Sequence, residues 1–282
     1  MGPLIAIVAI VLVVLLVAGG YLVGGFVYAQ GRINSAGDTY NSVIDHQNGM
    51  ADFFNSLTTK LSGIDLSNPT KANVDQAKTS FQQLVDKSTR AQPQIDSDDA
   101  SLAQADTGLK QNSWLTVLSK PSLDQRSAKI EDLRAALAAA KTIVTDYQQY
   151  GGFTLALLDC VNDLVNLETA GQNRDLSGMA TASSSIKTDA TKAIGLDHAP
   201  GLAPEVDTFM HDLSTVADDF TALINAATTG NQAAITTAEN ALDTDGKKLD
   251  SFDFTSWDTT ASSFYQGLID QYNSDISKAN NA

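Results

Sequence analysis

The first thirty residues constrain the fold of this chain more than any other stretch. Pro3 to Ala29 is a run of 27 residues without a charged side chain. A helix that spans the hydrocarbon core of a bilayer needs about 20 predominantly apolar residues. A secretory signal peptide has a shorter apolar core behind a basic start, and no basic residue precedes this run. The run therefore predicts a retained transmembrane anchor at residues 1–30, with its membrane helix at 4–28.

Two features of the run leave alternatives open. Val27-Tyr28-Ala29 resembles a signal-peptidase site, so cleavage after Ala29 is the competing interpretation. Arg32 is the one basic residue near the run, and the positive-inside rule therefore specifies the orientation weakly. The acidic composition, rich in Thr, Ser and Asp, favours an extracytoplasmic soluble domain. The predicted localisation is thus the membrane, as a single-pass protein.

Gly20 and Gly24 form a GxxxG pattern inside the predicted membrane helix. Two glycines one turn apart let the backbones of two membrane helices approach closely. The pattern predicts helix packing through Gly20 and Gly24, and hence self-association. The alternative is an unpaired helix, because glycine is common in membrane helices.

The rest of the chain has the spacing of amphipathic helices. Apolar residues between positions 206 and 227 recur at alternating intervals of three and four, which gives a narrow seven-residue seam. Similar seams occupy positions 130–147 and 40–64, and the latter extends back to Ile33 in the same phase. The alternation typical of strands is not sustained anywhere in the sequence. We therefore predict an all-α fold, with a transmembrane helix followed by up-and-down antiparallel helical bundles and no sheet.

Proline and glycine mark the expected helix ends. Proline is tolerated in the first turn of a helix, and Asn68-Pro69, Pro121 and Pro204 therefore indicate starts. Glycine is favoured just after the last turn, as at Gly171, Gly195 and Gly230. The predicted helices are 4–64, 69–90, 98–119, 121–150, 153–170, 174–194, 204–228, 231–250 and 256–279.

Gly151-Gly152 is the expected boundary between two bundles, 31–150 and 151–282, although one helix through both glycines is the alternative. The charge balance changes close by, since six basic residues face 20 acidic ones after Lys141. Within the acidic second bundle, segment 164–172 resembles segment 223–231 in its spacing of Leu, Asn, Thr and Gly. An αα-hairpin repeat is one interpretation, and convergent turn chemistry is the other.

Catalytic and cofactor motifs are not found in the sequence. It has no strand-turn-helix nucleophile motif and no glycine-rich phosphate loop. Asp207 and His211 share a helix face but have no second pair of ligands nearby, so a solvated face is predicted. Asp96–Asp99 and Asp243–Gly246 lack the ligand spacing of a calcium loop. We predict neither an enzyme nor a cofactor or metal site.

Three further side chains have ordinary interpretations. Cys160 is the only cysteine and lies in an apolar stretch, which predicts a buried thiol. Trp114 and Trp257 are expected to pack in or beside a core, with ligand stacking as the alternative.

The net charge of −15 limits the classes of partner. Nucleic acid is bound through Lys and Arg, so an acidic domain would be repelled by it. We therefore predict a membrane-anchored extracytoplasmic helical scaffold or protein-interaction module, which binds a protein partner or further copies of itself. The alternative is a solute- or signal-binding sensory domain, whose distinguishing feature would be a closed apolar pocket with convergent polar groups.

Overall fold

The computed structural model describes residues 2–61 and 69–281, without the side chains of 2–20, 22, 51, 52, 55–61, 254, 255 and 258. In this part of the chain the helices are α1 (Gly2–Leu61), α2 (Lys71–Lys110), α3 (Lys120–Gln172), α4 (Leu176–Ile194), α5 (Val206–Thr229), α6 (Gln232–Leu249) and α7 (Phe254–Asn281). A single 3-10 turn, Val117–Ser119, precedes α3. The described residues contain no strand, which confirms the all-α prediction.

Helix α1 joins the apolar run to the bundle without a break. It has 60 residues, and no proline follows Pro3 within it. The seam beyond the run is buried at Ala36, Tyr40 and Val43, as its phase predicted. The predicted membrane helix 4–28 falls mostly on residues whose side chains lie outside the description. Within the part of the chain that the structure describes, no helix is both long and apolar enough to cross a membrane.

The predicted break between residues 90 and 98 is wrong, because α2 continues through Pro93. Proline removes the hydrogen bond to the carbonyl four residues earlier, here that of Thr89. Thr89 and Pro93 are both exposed, so water can satisfy this carbonyl. Burial of Ile95 and Leu102 on the other side of α2 stabilises the helix across the proline.

The start of α2 is capped one position beyond the expected proline. Thr70 Oγ1 accepts a hydrogen bond from the Asn73 N–H at 3.3 Å. The expected cap, Asn68, lies outside the described residues. The other two prolines lie close to the helix starts that they predict. Pro121 is the second residue of α3, and Pro204 lies two residues before α5.

The end of α2 was also predicted wrongly. A helix was expected to reach residue 119, but α2 ends at Lys110 and residues 111–115 form turns. Asn112 has a left-handed φ of 45°, which ends the helical path. Asparagine tolerates this conformation better than most residues, so the turn needs no glycine. We call residues 111–119 the α2–α3 loop.

The break expected at Gly151-Gly152 is absent, because α3 runs through both glycines from Lys120 to Gln172. A Cβ at Gly151 would collide with the Val85 side chain of α2. The first glycine therefore permits close packing of two helices and does not end one. Each glycine is about 1 kcal/mol less favourable in a helix than alanine. The burial of Tyr147 and Phe153 on either side offsets this cost.

The chain forms two compact units, each assembled from separated segments. The first contains Met1–Asp52, Pro93–Lys141 and Ile269–Ala282, and the second contains Phe53–Gln92 and Thr142–Leu268. Sequence patterns do not reveal which distant helices pair, so the predicted bundles used continuous stretches. Their independent stability, as 31–150 and 151–282, stays a prediction that limited proteolysis would test.

Within the first unit, consecutive helix segments are antiparallel. His46 of α1 contacts Asp98 of α2, while Arg32 contacts Gln111, so the numbering of the two helices runs in opposite directions. Between α2 and α3 the same order is shown by the polar pairs Asp106–Ser127, Asp99–Arg134 and Asp96–Lys141. This order brings the α2–α3 loop beside residues 21–32 of α1.

The core of the second unit is centred on α5. Phe209 packs edge-to-face on Phe252 and Trp257, with ring centroids 5.2 and 5.0 Å apart. The predicted seam of α5 is buried from Val206 to Val216, but Phe220 and Leu223 are half-buried and Ala227 is exposed. A seven-residue repeat drifts by about 20° per heptad on a straight helix, so Ile224 replaces the last seam positions.

Two hairpins of this unit, α3–α4 and α5–α6, use similar turns. Gly230 has a φ of 66°, and the side chain of the following Asn231 caps α6 through the Ala234 N–H. In the first hairpin, Gly171 lies inside α3, and Arg174 takes the left-handed position with a φ of 56°. The following Asp175 caps α4 through the Gly178 N–H. The matched glycines are thus not equivalent in the two turns, and duplication stays a prediction.

Candidate functional site

The α2–α3 loop packs on α1 at the end of the apolar run. The Tyr21 hydroxyl donates a hydrogen bond to the Trp114 carbonyl, and their rings stack with centroids 6.0 Å apart. The Leu115 carbonyl lies against Gly25, where a Cβ would collide with it. Glycine at this position therefore lets the loop backbone reach the surface of α1.

Polar contacts fix the start of the loop. Asn112 Nδ2 donates to the Tyr28 hydroxyl at 2.9 Å. The Arg32 guanidinium lies 4.1 Å from the centroid of the Tyr28 ring and donates to the Gln111 carbonyl. These bonds tie residues 111 and 112 of the loop to α1.

The loop and the adjoining part of α1 expose large apolar side chains. In the loop, Trp114 is 63% exposed, Val117 62% and Leu118 69%. Val23, Phe26 and Val27 of α1 are exposed to a similar degree. Phe26, Val117 and Leu118 line one shallow depression, so the two groups are contiguous. We call these six residues the apolar tip.

The apolar tip comes from two stretches of the chain that have no acidic residue. Asp38 is the first acidic residue, and none occurs between Asp106 and Asp124. Lys110 and Lys120 flank the loop and are paired with carboxylates, Lys110 with Asp106 at 2.7 Å and Lys120 with Asp124 at 2.6 Å. A contiguous exposed apolar patch without acidic residues is typical of an interaction surface.

A buried polar cluster in the first unit connects α1, α2 and α7. Asp98 is 3% exposed, and its carboxylate contacts His46 Nδ1 at 2.9 Å. It also accepts hydrogen bonds from Gln94 at 2.8 Å and Gln47 at 3.3 Å. The Tyr272 hydroxyl donates to Gln47 Oε1 at 3.2 Å, and burial raises the pKa of this phenol.

This cluster has a structural explanation. A buried carboxylate is tolerated where hydrogen bonds satisfy it, and its partners then fix the register of the helices that carry them. Nucleophilic catalysis would need a Ser, Cys or Thr activated by His46. The Tyr272 phenol is held protonated and already donates to Gln47, so it does not supply such a nucleophile.

The acidic segments considered for metal binding lie in helices. Asp96–Asp99 belongs to α2, and its outer carboxylates pair with Lys141 and Arg134 at 2.7 Å. Asp243–Gly246 belongs to α6, where Lys247 and Lys248 are the partners of its carboxylates. Asp207 and His211 are 3.3 Å apart and form a pair on α5. Among the residues described, no group of three or more His, Cys, Asp or Glu could hold a metal ion.

The other predicted positions have varied outcomes. Gly24 is exposed, and a Cβ there would meet nothing within 4 Å, whereas the surroundings of Gly20 are outside the description. Helix packing through Gly20 and Gly24 therefore stays a prediction. Cys160 is buried as predicted, and burial raises its pKa to about 12. Trp257 packs on Phe209 as expected, but the exposure of Trp114 was missed.

A groove lies between α1 and α2. Its volume is about 410 Å³, and it is open to solvent. Arg32, Ser35, Thr39, Ser101 and Gln104 contribute its polar lining. The sensory alternative requires a closed apolar pocket, and this groove does not have that character.

Comparison with family models, curated proteins and solved structures gave no match to this chain.

Proposed function

We propose that the protein is a membrane-tethered helical scaffold, whose bundle lies outside the cytoplasm and binds a protein partner or further copies of itself. The observation that carries this proposal is the continuity of α1 from Gly2 to Leu61. The same helix contains the 27-residue uncharged run and the buried seam of the first unit. A helix of this kind would tether the bundle without a flexible linker.

The contacts of residues 21–29 of α1 with the α2–α3 loop support retention of the run over cleavage after Ala29. Ala29 is fully buried, and Tyr21, Gly25 and Tyr28 all contact the α2–α3 loop. Cleavage would remove Tyr21, Gly25 and Tyr28, so Trp114 and Asn112 would lose their hydrogen bonds with Tyr21 and Tyr28. Residues 21, 25, 28 and 29 thus pack within the folded first unit.

The excess of acidic residues supports a protein, and not nucleic acid, as the partner. After Lys141 the chain has six basic and 20 acidic residues, so its field would repel nucleic acid and attract cationic protein surfaces. The exposed faces of long helices offer extended surfaces of the kind that scaffolds use.

Membrane retention can be tested by alkaline carbonate extraction of cells that express the full chain. The native chain should stay in the membrane pellet, and N-terminal sequencing should find the run intact. Val13→Arg combined with Leu16→Arg should release it, because each arginine at a helix centre costs about 2.5–3.5 kcal/mol of insertion. Gln30→Arg, just beyond the run, is the matched control and should behave as the native chain. A mature chain that begins at Gln30 would contradict the proposal.

Orientation can be tested with a membrane-impermeant maleimide on intact cells. Cys160 is fully buried, so the native chain provides an unlabelled background. Asn173→Cys places a thiol in the exposed α3–α4 turn. Labelling in intact cells is expected for an extracytoplasmic bundle, and labelling only after lysis would reverse the orientation.

A further inference from the structure

We propose that the α2–α3 loop is a second membrane contact, in which Trp114, Val117 and Leu118 insert into the interfacial layer of the bilayer beside the anchor. This inference rests on the proposed tether and assigns a role to the apolar tip. Its partner is lipid, at the boundary between the acyl chains and the headgroups.

The position of the loop along the bilayer normal follows from its contacts with α1. A bilayer core of about 30 Å takes about 20 helical residues, so a span that begins near residue 4 ends near residue 23. Tyr21 holds Trp114, Gly25 accommodates Leu115, and Tyr28 holds Asn112. The loop is therefore fixed to the part of α1 that would leave the hydrocarbon.

The side chains suit this depth. Tryptophan and tyrosine are enriched at membrane interfaces because an apolar ring carries a polar group that stays hydrated. Tyr21, Tyr28 and Trp114 supply such rings, and the exposed Val117 and Leu118 supply purely apolar area. Arg32 lies one turn beyond Tyr28, and its guanidinium, which donates to the Gln111 carbonyl, places a positive charge at the level of the headgroups.

The charge pattern favours lipid over an aqueous protein surface. In a chain of net charge −15, the loop and the first 37 residues have no carboxylate side chain. A carboxylate near the bilayer would be repelled by anionic lipids and costly to desolvate. The acid-free loop also packs on the helix that contains the apolar run.

Tryptophan fluorescence of the full chain in vesicles tests this contact. The vesicles would contain phosphatidylcholine with a minority of phosphatidylglycerol, with and without bromine on the acyl chains near the headgroup. Trp257→Phe leaves Trp114 as the only tryptophan. Bromolipid should remove at least about half of its emission, and acrylamide should quench it less in vesicles than in the unfolded chain.

Trp114→Phe is the matched control, since its remaining Trp257 is half-buried against Phe209 and should be insensitive to bromolipid. Should Trp257→Phe fold poorly by circular dichroism, the difference between the native chain and Trp114→Phe reports the same signal. Flotation of the same samples measures the tether separately.

The outcomes distinguish the two proposals. Flotation with strong quenching of Trp114 supports both. Flotation without quenching overturns the loop contact and leaves the tether in place. If protection of Trp114 from acrylamide rises with protein density but bromolipid has no effect, the tip binds a second copy and the lipid contact is wrong. Failure to float overturns the tether and the loop contact together.

Discussion

At the scale of single residues, the close approaches between helices decide which glycines matter. Gly151 faces Val85 across a gap that has no room for a methyl group, whereas Gly267 of α7 has nothing within 4 Å of an added Cβ. The same substitution should therefore have opposite effects at the two positions.

Gly151→Ala should destabilise the protein by about 1–3 kcal/mol, because overpacking forces α2 and α3 apart. Gly267→Ala should stabilise it by about 0.5–1 kcal/mol, because alanine has the higher helix propensity. Urea unfolding followed by circular dichroism measures both. Equal effects at the two positions would mean that α2 and α3 are not in close contact at Gly151.

Cys160 gives a prediction about pH. Burial raises its folded pKa to about 12, above the ordinary value of 9.0. Below pH 9 the thiol is protonated in both states, so its stabilisation is fully present. Between about pH 9 and 12 the unfolded thiolate forms first, which favours unfolding by up to about 1.4 kcal/mol per pH unit.

Cys160→Ala removes this titration but keeps the other ionisable groups. The stability of the native chain, measured from pH 8 to about 11, should therefore fall more steeply than that of the variant. Parallel curves would show that the thiol is accessible in the folded state. Ellman's reagent at pH 8 should give the same answer, reacting with Cys160 only on unfolding.

At the scale of elements, the seam of α5 shows how far a periodic pattern reaches. Its first half is buried as predicted, and its second half turns away from the core as the repeat drifts. Phe209 and Phe220 lie on the same predicted seam but differ in burial. The two residues have the same side chain, so substituting each one compares burial at the start and at the end of the seam.

Phe209→Ala should cost about 3–5 kcal/mol, since it removes a buried ring and its edge-to-face contacts with Phe252 and Trp257. Phe220→Ala should cost clearly less, because part of that ring already contacts water. Thermal unfolding monitored by near-UV circular dichroism can rank the two. A larger loss at Phe220 would mean that the seam follows the heptad to its end.

The elements also show what the sequence predicts and what it leaves out. The seam from Ile130 to Tyr147 is buried throughout, because a period of 3.6 residues is a local property of the chain. Breaks are predicted between residues 90 and 98 and at Gly151-Gly152 because propensity is also local, but distant packing partners override it. The end of α2 is not directly followed by a glycine or a proline, and its turn contacts α1 through Asn112 and Gln111.

The sequence did not predict the exposed α2–α3 loop, because sequence patterns are local and the loop packs on a distant helix. Nothing in the spacing of residues 98–119 distinguishes an exposed loop from the last turns of a helix. A usable signal was present in the charges, since nine uncharged residues stand between Lys110 and Lys120 in an acidic chain. Only the pairing of α2 with α1 places this stretch beside the apolar run.

At the scale of the whole molecule, the excess of acidic residues predicts how a partner should bind. Attraction between exposed charges is screened over about 10 Å at 0.1 M salt and about 3 Å at 1 M. A pull-down from native membranes at low and high salt should retain a cationic or protein partner only at low salt. The bland alternative is that the charge keeps the bundle soluble. A retained partner that is indifferent to salt, or none at low salt, would favour that alternative.

The continuity of α1 has a further consequence for a protein in a bilayer. The 60-residue helix is about 90 Å long, and a span of roughly 20 residues matches the thickness of a typical core. A run that is too long for its bilayer tilts to fit, and the angle depends on hydrophobic thickness. Because α1 has no hinge after the run, the first unit must lean with it. The thickness and lipid composition of the host membrane would therefore set the angle at which the bundle presents its surfaces to a partner.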